Sequence, residues 1–158
     1  MHMDYTQLRI ELFNADYLNI VELNTTGDNE NYIKGDSESQ YMQSEVFNLF
    51  IRCFENSNKL YEFYGATKYN LRKIVPLKNE LSKKLDTFQT IDSLNGLKNY
   101  IKSIFLGNDF IEKLNATNPN WEKNWKNYRD SLIDVNKGLI DITEKCIDEQ
   151  RILWVIGY

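Results

Sequence analysis

The side chains that most often carry enzymatic chemistry are nearly absent from this chain. Its one histidine is His2. Without a second imidazole the commonest general base is missing. Ser-His-Asp and Cys-His nucleophilic systems fall away with it. So do histidine-rich zinc sites and the Glu-x-x-His motif of di-iron bundles. The two cysteines, Cys53 and Cys146, form no Cys-x-x-Cys pair. No GxxxxGK[ST] phosphate loop, GxGxxG fingerprint or GxSxG elbow occurs. No Asp or Glu is followed two positions later by Lys, the core of a common metal-dependent nuclease motif. What remains is carboxylate and phenol chemistry, which depends on distances in space rather than on spacing in sequence. The sequence therefore predicts no catalytic residue, no metal ligand set and no cofactor.

Residues 28–39 are acidic and contain glycine, as calcium loops are, but the EF-hand register needs Gly sixth and an acid twelfth. Counted from Asp28, those positions hold Ile33 and Ser39, so the segment reads as a solvated loop. Asn24-Thr25-Thr26 and Asn115-Ala116-Thr117 match the glycosylation sequon. In a chain so rich in asparagine such matches arise by chance.

Charge is more informative. The net charge is −4, which argues against general nucleic-acid binding. The charges are also segregated. Residues 22–45 carry six acids and one base, and residues 59–84 carry seven bases and two acids. Asp130, Asp134, Asp141, Glu144 and Asp148 fall on one side of a helical pattern, opposite its apolar stripe and interrupted by Lys137. That face is the candidate docking surface for a basic protein partner, against the alternative of an ordinary solvated helix face. Tyr61, Tyr64 and Tyr69, interleaved with the basic residues, are the candidate aromatic anchors. The alternative use of residues 59–84 is stacking on nucleic-acid bases.

These side chains need elements to position them. At 158 residues, 42% apolar and 13% aromatic, the chain reads as one domain that buries roughly 70% of its unfolded surface. Leu8, Ile10 and Leu12 alternate with polar residues over 7–13, which predicts a strand; residues 17–23 fit a second strand after an Asn14-Ala15-Asp16 turn, the expectation taken, or a short helix. Residues 24–40 form a polar stretch with Gly-Asp turns, in which Tyr32 and Ile33 make a short edge strand. Ser37-x-x-Gln40 resembles a capping box. It opens a buried helix through Met42, Val46, Leu49, Phe50 and Cys53. A Tyr-rich link follows, and Pro76 should then kink or split a helix running through Leu77, Leu81, Leu85 and Phe88. Asp92 caps a helix bearing Leu94, Leu97, Ile101, Ile104 and Phe105, which Gly107 stops. A short helix is expected over 109–116.

Asn118-Pro119 reads as cap and first position of the longest helix. Trp121, Trp125, Tyr128, Leu132, Val135, Leu139, Ile142 and Cys146 keep one unbroken heptad register. The register runs through Gly138, which predicts a continuous helix over 119–149, roughly 45 Å long. It packs in a bundle. Ile152 to Ile156 are five consecutive apolar residues that read as a buried strand pairing with the first one. The run is too short to span a membrane, and no other segment is long enough. Cysteines inside apolar helical patterns point to a reducing compartment, the cytoplasm.

The fold class expected is α+β and predominantly helical. About five helices pack on a small antiparallel sheet made from the N-terminal strands and the C-terminal strand; the alternative is an all-α bundle. Small acidic, aromatic-rich domains without catalytic groups include many immunity proteins and other inhibitors, an analogy of size and composition. The functional expectation is a non-catalytic protein-binding domain that blocks a macromolecular partner. A small enzyme or ligand binder using carboxylate or Tyr groups is the alternative.

Overall fold

The computed structural model describes residues 7–14 and 20–157. Four strands, β1 (Ile20–Asn24), β2 (Gln40–Gln43), β3 (Ala66–Tyr69) and β4 (Leu153–Gly157), form one sheet in the order β2-β1-β4-β3. Every neighbouring pair is antiparallel. Six helices accompany it: α1 (Ser44–Phe47), α2 (Ile51–Ser57), α3 (Leu71–Thr90), α4 (Leu94–Ser103), α5 (Gly107–Thr117) and α6 (Trp125–Asp148). The fold is thus predominantly helical with a small antiparallel sheet drawn from both ends of the chain. No described helix is long and apolar enough to cross a membrane.

Alternation sorts the sheet into two faces. Val21, Leu23, Met42, Tyr69, Leu153 and Val155 enter the main core with the helices. The opposite face is covered as well. Buried Glu22 accepts hydrogen bonds from the Gly35 amide at 2.8 Å and the Ser39 hydroxyl at 2.7 Å. Buried Asn24 donates to the Ile33 carbonyl at 2.8 Å, and the Trp154 indole donates to the Asp28 carbonyl at 2.8 Å. Two polar side chains on a central strand thereby tie the 25–39 loop down as a lid on the sheet. Tyr32 and Ile33 belong to that loop and form no strand; Tyr32 lies against the Trp154 ring instead. The Asn24 sequon is sealed by the same bonds, and Asn115 accepts from the Trp121 indole.

Several expectations need correction. Residues 7–13 make only one isolated bridge, Phe13 to Tyr41. Three other backbone groups there go to side chains: Gln43 bonds the Arg9 amide and the Gln7 carbonyl, and Thr117 accepts from the Leu8 amide. The segment is a strap across α6, where a Cβ at Gly138 would come within 2.7 Å of Leu12. That contact explains a glycine in mid-helix. The capping box is overruled, since Gln40 opens β2 and the helical stretch after it is broken between α1 and α2. The Tyr-rich link contains β3.

Pro76 does not split α3. It removes one hydrogen bond near the N-terminal end, while buried Ile74, Leu77 and Leu81 hold both sides of it in the core. Ser93, not Asp92, caps α4, its hydroxyl accepting from the Gly96 amide at 3.0 Å. Gly107 begins α5 rather than stopping α4. The left-handed residue at that corner is Leu106, φ 64°, and a Cβ at Gly107 would stand 1.8 Å from the Ile101 carbonyl oxygen. Asn118 ends α5 and turns the chain by accepting from the Asn120 amide. A 3-10 turn over Trp121–Asn124 intervenes before α6. The long helix therefore spans 24 residues, about 36 Å at the standard rise. Its heptad stripe is the packed face, with Leu132, Val135, Leu139, Ile142 and Cys146 buried, and Trp121 is buried in the 3-10 turn ahead of it.

Candidate functional site

All five carboxylates proposed on the long helix, Asp130, Asp134, Asp141, Glu144 and Asp148, are exposed. At 100° per residue they occupy an arc of about 80° and run about 27 Å along α6. Two are engaged: Glu144 pairs with Lys78 at 3.4 Å and Asp130 with Arg129 at 3.0 Å. Both pairs are surface contacts, which are individually weak. Asp141 and Asp148 have no ion-pair partner among the described residues.

The tyrosines separate. Tyr69 is fully buried, its hydroxyl donating to the Phe54 carbonyl at 2.6 Å; as a partner anchor it is corrected. Burial pushes its phenol up. Tyr61 is half-buried beside Phe47 and Phe54, and burial pushes its phenol up too. Tyr64 alone projects, at 83% exposure. With two of the three rings turned inward, the basic segment offers no row of stacking platforms. Its cations are also dispersed: Lys68 bonds the Asn29 carbonyl, Lys78 pairs with Glu144 and Lys83 with Glu80.

Tyr64 belongs to a larger feature. The loop between α2 and β3 exposes Leu60 at 78% and Phe63 at 38%, and the Phe63 and Tyr64 rings meet edge to face, 4.6 Å between centroids. Across from them the strained α4–α5 corner presents Leu106, with Phe105 beside it 62% exposed. A cleft of about 380 Å³ lies between, walled by Phe63, Tyr64 and Leu106 and floored by α1 and the first turn of α5. Two carboxylates line it, Glu45 and Asp109. Lys113 reaches one oxygen of Glu45 at 3.3 Å, whereas the other is buried with no hydrogen-bond partner among the described residues. A carboxylate oxygen left so is costly. The site is apolar at its lip and acidic within. It has the composition of a surface that receives a cation carried on an apolar stem.

Sequence reasoning missed most of these residues. Leu60-Tyr61-Glu62-Phe63-Tyr64 has neither helical nor strand period, and so many rings in an aperiodic stretch were a signal of exposure. Phe105 was grouped with the apolar stripe of α4; the left-handed turn at Leu106 swings it out. Glu45 and Asp109 lie on different helices, and no spacing rule joins them.

The remaining groups are quiet. Cys53 and Cys146 are free and buried, and burial pushes both thiols up to about 11. Asp28 caps its own turn, accepting from the Glu30 and Asn31 amides, which hold its carboxyl below the usual range. Among the described residues no three His, Cys, Asp or Glu side chains are placed to hold a metal ion. Among the described residues, the main apolar core lies between the sheet and the helices. No protein-family model, no characterised protein and no solved structure matches this chain.

Proposed function

We propose that the chain is a non-catalytic protein-binding domain of inhibitor or immunity type, which acts by holding and blocking a macromolecular partner. The observation that carries this reading is the cleft at Phe63 and Tyr64. Soluble domains rarely display several large apolar side chains together without using them, and aromatic residues around an indented, acidic floor are the usual anchors of an interface. The partner that fits is a protein that inserts a lysine or arginine between the rings towards Glu45 and Asp109. The acidic face of α6 has a separate role, drawing a basic partner in by long-range attraction and raising the association rate more than the affinity.

The test is capture of the partner from the native source by the tagged protein, run beside Phe63→Ala/Tyr64→Ala. Both side chains are at the surface, so the double variant should melt with the wild type. A stoichiometric partner retained by the wild type and lost by the variant supports the reading. A partner retained equally by both moves the interface elsewhere and refutes the cleft. With the partner in hand, neutralising Asp134, Asp141 and Asp148 should slow association and flatten its salt dependence.

A further inference from the structure

On the far side of the α4–α5 corner lies a second cleft of about 320 Å³, lined by residues of α2, α3 and α4. Its floor holds Lys84. The ammonium sits over three aromatic rings, 4.8 Å from the Tyr100 centroid, 5.6 Å from Phe88 and 6.0 Å from Phe50. It has neither an ion-pair partner nor a hydrogen-bond acceptor among the described residues. A lysine held only by ring faces is a poor structural strut. The charged groups facing the cleft are Arg52 from α2, which pairs with Glu55 at 3.6 Å, and Glu80 and Lys83 from α3, which pair with each other at 3.6 Å, so the unpaired Lys84 leaves the site net positive. Cys53 from α2 and Tyr100 from α4 complete its titratable lining.

We propose that Lys84 is the reactive amine of a second ligand site, one that takes a small aldehyde or ketone carrying a carboxylate or phosphate and holds it as an imine. The amine nitrogen adds to the carbonyl carbon to give a carbinolamine. The C–N bond becomes a double bond as the C–O bond breaks, and the two amine protons leave with the oxygen as water. Nothing is oxidised or reduced. Arg52 and Lys83, exposed at the mouth and held only in weak surface pairs with Glu55 and Glu80, can turn to the anionic group. Burial supports the assignment of the nucleophile, because it moves the two candidates in opposite directions. It pulls the Lys84 ammonium down to about 8 and pushes the Cys53 thiol up to about 11. Near neutral pH the amine is therefore partly free while the thiol is fully protonated.

The experiment uses the intact wild-type protein. It is treated with pyridoxal phosphate as an anionic aldehyde probe, trapped with borohydride and mapped by peptide mass spectrometry, with benzaldehyde as the neutral probe. At pH 7.5 an amine titrating near 8 is free about 200 times more often than an ordinary lysine side chain in water. Its lower intrinsic nucleophilicity removes much of that advantage and leaves about tenfold. Lys84 should be modified about tenfold faster than exposed Lys102 and Lys126, with a rate midpoint near pH 8. Arg52→Ala/Lys83→Ala should slow pyridoxal phosphate and leave benzaldehyde unchanged. Modification of Lys84 no faster than of the exposed lysines would overturn the proposal. Equal effects of the double variant on both probes would overturn its anionic half. Neither readout depends on a protein partner, so failure here leaves the aromatic cleft standing, and the reverse.

Discussion

Gly107→Ala tests the corner that shapes both clefts. The backbone leaves α4 at Ser103, passes through Leu106 in a left-handed conformation and enters α5 at Gly107. An added Cβ would lie 1.8 Å from the Ile101 carbonyl oxygen and 2.8 Å from its carbon. Ordinary contact needs more than 3 Å, so over an ångström must be found, and the obstructing atoms are backbone. The last turn of α4 must part from the first turn of α5, against the burial of Ile101 and Phe110 on either side. Overpacking of this severity costs about 3 kcal/mol, which lowers Tm by about 6–12 °C in a domain of this size. Gly96→Ala is the matched control. It lies in the same helix as Ile101, and its Cβ meets only side-chain atoms, the movable Ser93 hydroxyl at 3.0 Å and Ile91 Cγ2 in ordinary contact at 3.7 Å. There the gain in helix propensity, up to about 1 kcal/mol, offsets a disturbed cap. Thermal and urea melts of the three proteins decide the matter, with equal m-values confirming a common unfolding reaction. If Gly107→Ala melts within 2 °C of Gly96→Ala, the corner is not the tight junction described, and the strained presentation of Phe105 and Leu106 loses its basis.

Other substitutions probe single interactions. Asn136 is wholly buried; its amide donates to the Leu81 carbonyl at 2.9 Å while its own oxygen has no partner among the described residues. Asn136→Asp puts a charge there and should cost about 3 kcal/mol or more at pH 7. Burial raises the folded-state pKa of that carboxyl above its unfolded value, so the folded state binds more protons. The deficit relative to wild type should shrink as pH falls from 7 to 4, which paired urea melts will show. Lys84→Met isolates the opposite case, a base held down to about 8. Between pH 8 and the ordinary lysine range the unfolded chain binds more protons at this site than the folded one. Wild type should therefore gain stability relative to Lys84→Met as pH rises through that window, and a difference that stays flat with pH would falsify the desolvated ammonium. Tyr69→Phe should cost about 1 kcal/mol for the lost bond to Phe54 and leave partner capture untouched, in contrast to Tyr64→Ala.

The helical part of this fold was legible because burial in helices is written as a period. The register from Leu132 to Cys146 is the buried face of α6, and the three residues Ile74, Leu77 and Leu81 mark that of α3. The sheet was legible in the apolar run Leu153 to Ile156 and in the strand expected over 17–23, of which residues 20–23 lie in β1 and 17–19 fall outside the described residues. β1 carries Glu22 and Asn24 on one face, which in isolation argues against a strand buried on both sides. Its loop supplies the acceptors and donors that make those residues affordable, and those partners lie up to 17 residues away. β2 and β3 are four residues each, too short for a period to declare itself.

The same distinction governs the candidate sites. The acidic face of α6 could be read from spacing because one helix carries all of it. The two clefts could not, because each is assembled across a turn: Glu45 and Asp109 come together through the contact of α1 with α5, and Lys84 meets Tyr100 through the packing of α3 beside α4. Both depend on the backbone excursion at Leu106 and Gly107, which a sequence marks only by a glycine and marks one residue late. A non-glycine residue held left-handed costs about 1 kcal/mol or more. The fold keeps Leu106 in that conformation at the one point where both clefts converge, and relaxing it would turn Phe105 and Leu106 away from them. The strain is therefore best understood as the cost of presenting those side chains.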